Sequence, residues 1–434
     1  MHPDSSTQSP PAVQDVSRAK KLQLLGILCG FAAGAWLGAA EAPTKLVSIG
    51  ISPMVISLIM VVGVFLARWS LPALILGTSS VRADVRRAPH LVIWALLAGC
   101  LWAVANTLTI FAIRDIGLSI AFPLWNSNSL LGILWGFLFF NELRRAGWRR
   151  RAGVLGGALV MCLGATLLAI ASSGHGPAAH SLHGVCAALG AGILWGTMYI
   201  PYRKAYLTGM NPLSFVTFFS FGELGVMTVL SVSSLGLGPL WQELLSARSI
   251  IFWLMLGGFV WVIGDIFQQY AAKYVGISRG IPLSNSNQLW GLLWGILVFG
   301  ELHGRSSSIY VQVIGGSFMM MLGVGALAFS SASGQEQTRW KAAAIRESDR
   351  YGVAADFVEA RLDGRQLAGE LKPSRSVLDW LLVVAATSVF LIFAAMARVP
   401  QMSLHWAPAA LLTAVLVLFL IVCGLALWRT TRFN

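Results

Sequence analysis

The sequence predicts an all-α integral membrane protein: two inverted halves of five transmembrane helices each, followed by two extra C-terminal transmembrane helices. Three observations predict it. Of 434 residues, 56% are apolar and only 11% charged, with a mean hydropathy of +0.71, outside the balance of a soluble globular domain. Twelve stretches of the length needed to cross a hydrocarbon core, about 20 apolar residues for about 30 Å, follow one another. A block of residues also recurs at a fixed interval of 159 positions.

Taken in order, residues 1–21 (MHPDSSTQSPPAVQDVSRAKK) are polar and Pro/Ser-rich, which predicts a disordered cytoplasmic tail. The apolar run behind them has no Ala-x-Ala cleavage site, so it is expected to stay as a first helix. Spans near 22–40, 47–67, 91–113, 117–140 and 153–171 make a first unit, 22–171. After an inter-repeat loop, 172–181, spans near 182–201, 212–235, 250–270, 276–299 and 311–330 make a second unit, 182–331. Residues 332–376 are a cytoplasmic linker of mixed charge at helical spacing, read either as solvated or as a partner-binding helix. The last two spans lie near 377–397 and 407–428 (together 377–428), carry no strong internal charge and are expected at the periphery.

Orientation follows from Lys and Arg. With the N-terminus inside, the inner loops and tails hold 25 of these residues and the outer loops 5, which predicts a multi-pass protein of the cell membrane with both termini cytoplasmic. That count places Arg68 in the first inner loop. The same bias accounts for the net charge of +13 without nucleic acid, since the aromatic residues lie in apolar spans where they cannot stack on bases. Cys29, Cys100, Cys162, Cys186 and Cys423 have no short spacing among them, and His175, His180 and His183 fit no metal motif. No metal and no cofactor are expected.

Between Trp102–Leu143 and Trp261–Leu302, 18 of 42 positions are identical without a gap. They include Pro123/Pro282, Asn126/Asn285, Asn128/Asn287, Trp135/Trp294 and Glu142/Glu301, which apolar bias alone does not match. The same interval joins Trp36 to Trp195, Pro53 to Pro212 and Gly63 to Gly222. Five helices per copy is an odd number, so a second copy must enter the bilayer from the opposite side. Inverted repeats of this kind place a binding site near the midplane and alternate its access between the two faces.

The two long copies, FPLWNSNSLLGILWGFLFFNEL at 122–143 and IPLSNSNQLWGLLWGILVFGEL at 281–302, each start on proline and close on Asn-Glu or Gly-Glu. In a five-plus-five plan these resemble the drug/metabolite transporter superfamily, EamA-like. The Pro- and Lys-containing element APTKL, and more loosely IPYRKA, is similar to the glucose/ribose/rhamnose sugar porter branch. The resemblance covers residues 22–331; the last two helices depart from its ten-helix pattern. It implies a secondary transporter for a sugar or related polar metabolite. Other members of the superfamily move nucleotide sugars, amino acids and drugs, which is the alternative.

Asn126, Asn128, Asn285 and Asn287 are the principal candidates for substrate contact. A carboxamide without a partner in hydrocarbon costs about 4 to 8 kcal/mol on alkane scales, so each must be satisfied. Pro123 and Pro282 lie just upstream and predict a helix break there. Amides at a break suit the hydroxyls of a neutral polyol, or else tie neighbouring helices together. Asn106, Gln268, Trp102 and Trp261 complete the candidate substrate set. Inversion predicts Asn126 and Asn128 on the outer side of the cavity, with Asn285 and Asn287 on the inner side. Gly132/Gly136 and Gly291/Gly295 are close-packing pairs.

Asp265 and Glu223 are ionisable groups inside spans and are the proton-coupling candidates. Asp265 aligns with Asn106, so one half alone carries a titratable group there; its structural alternative is an ion pair with Lys273 or Arg279. His-Glu-x-x-His, Gly-x-Ser-x-Gly and a P-loop are missing from the sequence, so no enzyme is expected. A non-transporting sensor or scaffold is the other class kept open. The expected partners are the substrate, the lipid bilayer and a coupling proton, with a homodimer as an alternative to a monomer.

Overall fold

The computed structural model describes residues 11–40, 42–43, 51–116, 124–125, 128–143, 146–172, 181–300, 304, 306–330, 334–365, 375–398 and 404–433. Regular structure in these residues is helical. The helices are α1 (Pro11–Ala39), α2 (Pro53–Ile75), α3 (Thr78–Arg87), α4 (His90–Ile116), α5 (Asn128–Phe139), α6 (Trp148–Ser172) and α7 (Ser181–Leu207). They continue with α8 (Pro212–Leu235), α9 (Leu237–Ser246), α10 (Ile251–Val275), α11 (Ile277–Ser284), α12 (Asn287–Leu293) and α13 (Ser307–Phe329). Last come α14 (Gly334–Arg350), α15 (Ala355–Leu362), α16 (Val377–Met396) and α17 (Trp406–Thr431). Among the described residues, 10 helices are long and apolar enough to cross a membrane. The chain is an all-α integral membrane protein.

Two of the twelve expected spans are not single long helices. The described part of 117–140 contains the 12-residue α5. The stretch 276–299 is broken into α11, α12 and a π-helical turn, Trp294–Val298. Gly276, at φ +83°, turns the chain out of α10, and Asn285 and Ser286 separate α11 from α12. The Asn-Ser-Asn element thus lies at a break, as the upstream proline leads one to expect. A third difference concerns α2, which runs on through Pro72 to Ile75 instead of ending at 67, and so carries Arg68 inside the helix.

α2 and α8 begin alike. Ser52 Oγ accepts from Val55 N and Asn211 Oδ1 from Leu213 N, and each cap is followed by a proline at the first helical position, Pro53 or Pro212. Proline has no N–H to lose there, and the polar cap satisfies one of the orphan donors.

α4 packs along α7 and α8, while α10 packs along α1 and α2. α2 meets α8, α6 meets α13, α5 lies on α7, and α12 lies on α1. Glycines set the closest approaches. A Cβ on Gly99 would stand 2.1 Å from Phe219 O, and one on Gly222 2.3 Å from Leu96 O, which brings α4 and α8 into backbone contact. On α2 and α10 the corresponding distances are 2.3 Å from Gly63 to Met255 O and 2.2 Å from Gly258 to Met60 O. α16 and α17 lie at the periphery, with most of their apolar side chains exposed to where lipid would be.

Candidate functional site

Trp102 and Asn106 stand one turn apart on α4, and Trp261 and Asp265 stand one turn apart on α10. The two tryptophans meet edge to face, with ring centroids 5.1 Å apart. Arg68 enters between the helices from α2. Its Nη2 donates to Asp265 Oδ2 at 2.7 Å, and its Nη1 lies 3.1 Å from Glu223 Oε2 on α8 without hydrogen-bond alignment. All three charged side chains are fully buried. The guanidinium also stands 4.0 Å from the ring centroid of Phe219 and 5.3 Å from that of Trp261. Gln269 Nε2 donates to Asp265 Oδ2 at 2.8 Å, and Tyr206 OH donates to Gln269 Oε1.

Three charges taken out of water persist only when each is paired, because an unpaired ion in a low-dielectric interior costs several kcal/mol or more. Arg68 has the geometry to serve both carboxylates, one on each terminal nitrogen. The partner of Asp265 is therefore Arg68, and not Lys273 or Arg279 as in the structural alternative read from sequence. Arg279 Nε donates to Ser330 O at 2.8 Å, and Lys273 Nζ has no hydrogen-bond partner among the described residues. Arg68 was hidden because Trp69-Ser70 and Pro72 look like the end of a span. The apolar Leu71, Ala73, Leu74 and Ile75 behind them were the signal that the helix continues.

A second polar group lies at the break between α11 and α12. Asn285 Nδ2 donates to Asn128 Oδ1 at 2.8 Å and to Ser129 Oγ at 2.5 Å, joining α5 to the break. Contact between Asn128 and Asn285 puts them at one level, which corrects the expectation that they occupy opposite sides of the cavity. Asn126 lies outside the described residues. Asn287 Oδ1 is buried and has no hydrogen-bond partner among the described residues, as is true of Ser286 Oγ. Gln268 Nε2 donates to Ser284 Oγ at 2.6 Å and bridges this group to the charged one, three residues from Asp265. Asn106 Nδ2 reaches Ser57 Oγ at 3.4 Å.

The ends of α7, α10 and α5 converge below the break. Glu142 accepts from Ile277 N at 3.3 Å and Ser278 N at 2.9 Å, so its carboxylate caps α11. Arg203 of α7 pairs with Glu142 at 3.1 Å and donates to Ala272 O and Lys273 O. Gly136 brings α5 against Ser278 of α11, the close-packing role expected of that glycine pair. Among the described residues, no three His, Cys, Asp or Glu side chains gather as a metal site.

A family model described as sugar transport protein matches residues 188–349. A putative sugar uptake protein of Lactobacillus johnsonii is 33% identical over 82 residues, 19% of this chain and 28% of that relative. A putative sugar uptake protein of Listeria innocua is 22% identical over 233 residues, covering 53% of this chain and 76% of the relative. A glucose uptake protein of Staphylococcus xylosus is 24% identical over 222 residues, covering 50% and 72%.

Proposed function

We propose that this chain is a secondary transporter that moves a sugar or related polar metabolite across the cell membrane by alternating access of two inverted halves. The observation that carries this is the sugar-transport family match over 188–349, the part that holds Glu223, Asp265, Gln268, Asn285 and Asn287. The names of the relatives, each called an uptake protein, support the same class.

Packing supports the inverted arrangement. Shifting by 159 turns the Gly63–Gly258 approach into the Gly222–Gly99 approach, and the Gly157–Gly323 approach into Gly316–Gly164. It also turns the α4–α7 contact into α10–α1 and the α5–α7 contact into α12–α1, as exchange about a two-fold axis requires. Trp102 and Trp261 are equivalent positions in contact with each other, which supports such an axis between them.

Asn287 Oδ1 and Ser286 Oγ, buried and without a protein partner among the described residues, are the acceptors we assign to sugar hydroxyls. Asn106, Gln268, Trp102 and Trp261 remain in the assignment, as does Asn126 on its place in the sequence repeat alone. Asn128 and Asn285 bond each other, so their part in binding requires that bond to open. For coupling, Arg68 supplies one positive charge against two carboxylates, and a single proton shared by Glu223 and Asp265 brings the cluster to neutrality.

The test is radiolabelled sugar counterflow in proteoliposomes, with amino acids and cationic drugs in parallel. Sugar exchange is expected. Exchange of amino acids or drugs with no sugar flux would overturn the sugar assignment, and specific binding without any flux would favour a sensor. Asp265→Asn is expected to abolish uphill accumulation driven by a pH gradient while sparing exchange, with Glu223→Gln measured beside it. Accumulation equal to the parent in both variants would remove this cluster from coupling.

A further inference from the structure

Residues 341–365, part of the linker read from sequence either as solvated or as a partner-binding helix, are packed. Ala344 and Val358 are fully buried, and Phe357 nearly so. α14 and α15 lie on the face where α2, α5, α7 and α10 end, and they touch elements of both five-helix units. Toward the second unit, Lys204 of α7 pairs with Glu347 at 3.0 Å and stands 5.8 Å from the ring centroid of Tyr351. Phe357 packs on Gly209, whose φ of +87° ends α7.

Toward the first unit, Tyr351 stacks on His90 of α4 at 3.9 Å, and Arg87 of α3 stands 4.5 Å from the ring centroid of Phe357. Arg361 lies 3.7 Å from Asp84 of α3, which also accepts from Asn211 N and Ser214 Oγ of the second unit. Arg18 of α1 donates to Asp363 O and Gly364 O at 2.7 and 3.1 Å. The end of the described chain touches the second unit alone, where Phe433 O accepts from Asn211 Nδ2 at 2.5 Å and from Tyr270 OH at 2.8 Å.

We propose that residues 334–365 form an autoinhibitory strap across the two halves that holds this face closed. The inference rests on the alternating-access reading, since a strap matters only if the halves separate here. A tie that joins Arg18 of α1 to Lys204 of α7 must stretch or detach when the face opens. Its contacts suit release. Lys204 and Glu347 are each about a quarter exposed, so solvent and salt weaken the pair, and loss of one such pair shifts an equilibrium only modestly. The strap is thus a bias on the closed state, not a permanent seal.

The test reads opening directly and needs no sugar, so it separates the strap from the substrate assignment. A single cysteine at Ser278→Cys, in a full-length chain whose five native cysteines are alanine, is alkylated with N-ethylmaleimide in membrane vesicles. Ser278 is fully buried beneath the Glu142 cap on this face. The single charge swaps Lys204→Glu and Glu347→Lys are each expected to raise the alkylation rate about threefold, the scale of one exposed ion pair. The double swap, which restores opposite charges, is expected to return the rate to the parental value. Unchanged rates in both single swaps would overturn the proposal. So would raised rates that the double swap fails to restore, since the ion pair would then not be what holds the face shut.

Discussion

Arg68 shows how much one buried side chain can organise. It touches Asp265, Glu223, Phe219 and Trp261, and so ties α2 to α8 and α10 through charge and ring contacts. Removing it leaves two carboxylates facing each other without a cation. Arg68→Met is expected to lower stability by about 3 to 5 kcal/mol, seen as a drop in the melting temperature of the purified protein. Adding Glu223→Gln and Asp265→Asn to Arg68→Met should recover most of the loss, because neutral amides hydrogen-bond without a counter-ion. A triple variant as unstable as the single one would mean that packing of the guanidinium, not charge balance, is what matters. Asn285 is the second case. Asn285→Leu strands Asn128 Oδ1 and Ser129 Oγ, for an expected loss of about 1 to 3 kcal/mol in the same measurement.

Among the elements, glycine contacts decide which helices are neighbours. Alanine at Gly99 would bring its Cβ to 2.1 Å from Phe219 O, which forces α4 and α8 apart. Gly99→Ala, and its counterpart Gly258→Ala on α10 against α2, are expected to cost about 1 to 3 kcal/mol each through overpacking. Gly156→Ala, where a Cβ meets nothing within 4 Å, should be neutral or slightly stabilising, since glycine is a poor helix former. Thermal melting of the three variants checks this. A large loss at Gly156 equal to the other two would show that the interhelical approach does not set the effect. Breaking of the 276–299 span follows similar local rules: a positive-φ glycine, an internal proline and a carboxylate cap combine to make short helices with polar termini inside the bundle.

For the whole molecule, the Lys and Arg bias predicts that α3, the α14–α15 pair and the C-terminal end share the cytoplasmic side. Cysteines introduced at the exposed Arg86 and Arg248 test it. A membrane-impermeant maleimide added to intact cells is expected to label Arg248→Cys and to reach Arg86→Cys only after permeabilisation. The reverse pattern would invert the topology. The same labelling decides what the proposed strap would do: with α14 and α15 inside, it would oppose opening to the cytoplasm and leave the outer face unrestrained.

The sequence by itself determined the membrane class, the repeat at 159 positions and the presence of a break at Asn-Ser-Asn, because composition, periodicity and the backbone limits of proline and glycine are local properties. It also marked Asp265 and Glu223 as anomalous, since a carboxyl within an apolar run is conspicuous without knowing its neighbours. Tertiary structure alone decided that Arg68 answers them, that Asn128 faces Asn285 across the two halves, and that residues 334–365 lie packed on one face. Arg68 and Asp265 stand 197 positions apart, and their meeting depends on how closely Gly63 and Gly258 let α2 approach α10. Spacing along a chain carries no record of which helix faces meet; close packing of backbones at small residues creates that pairing.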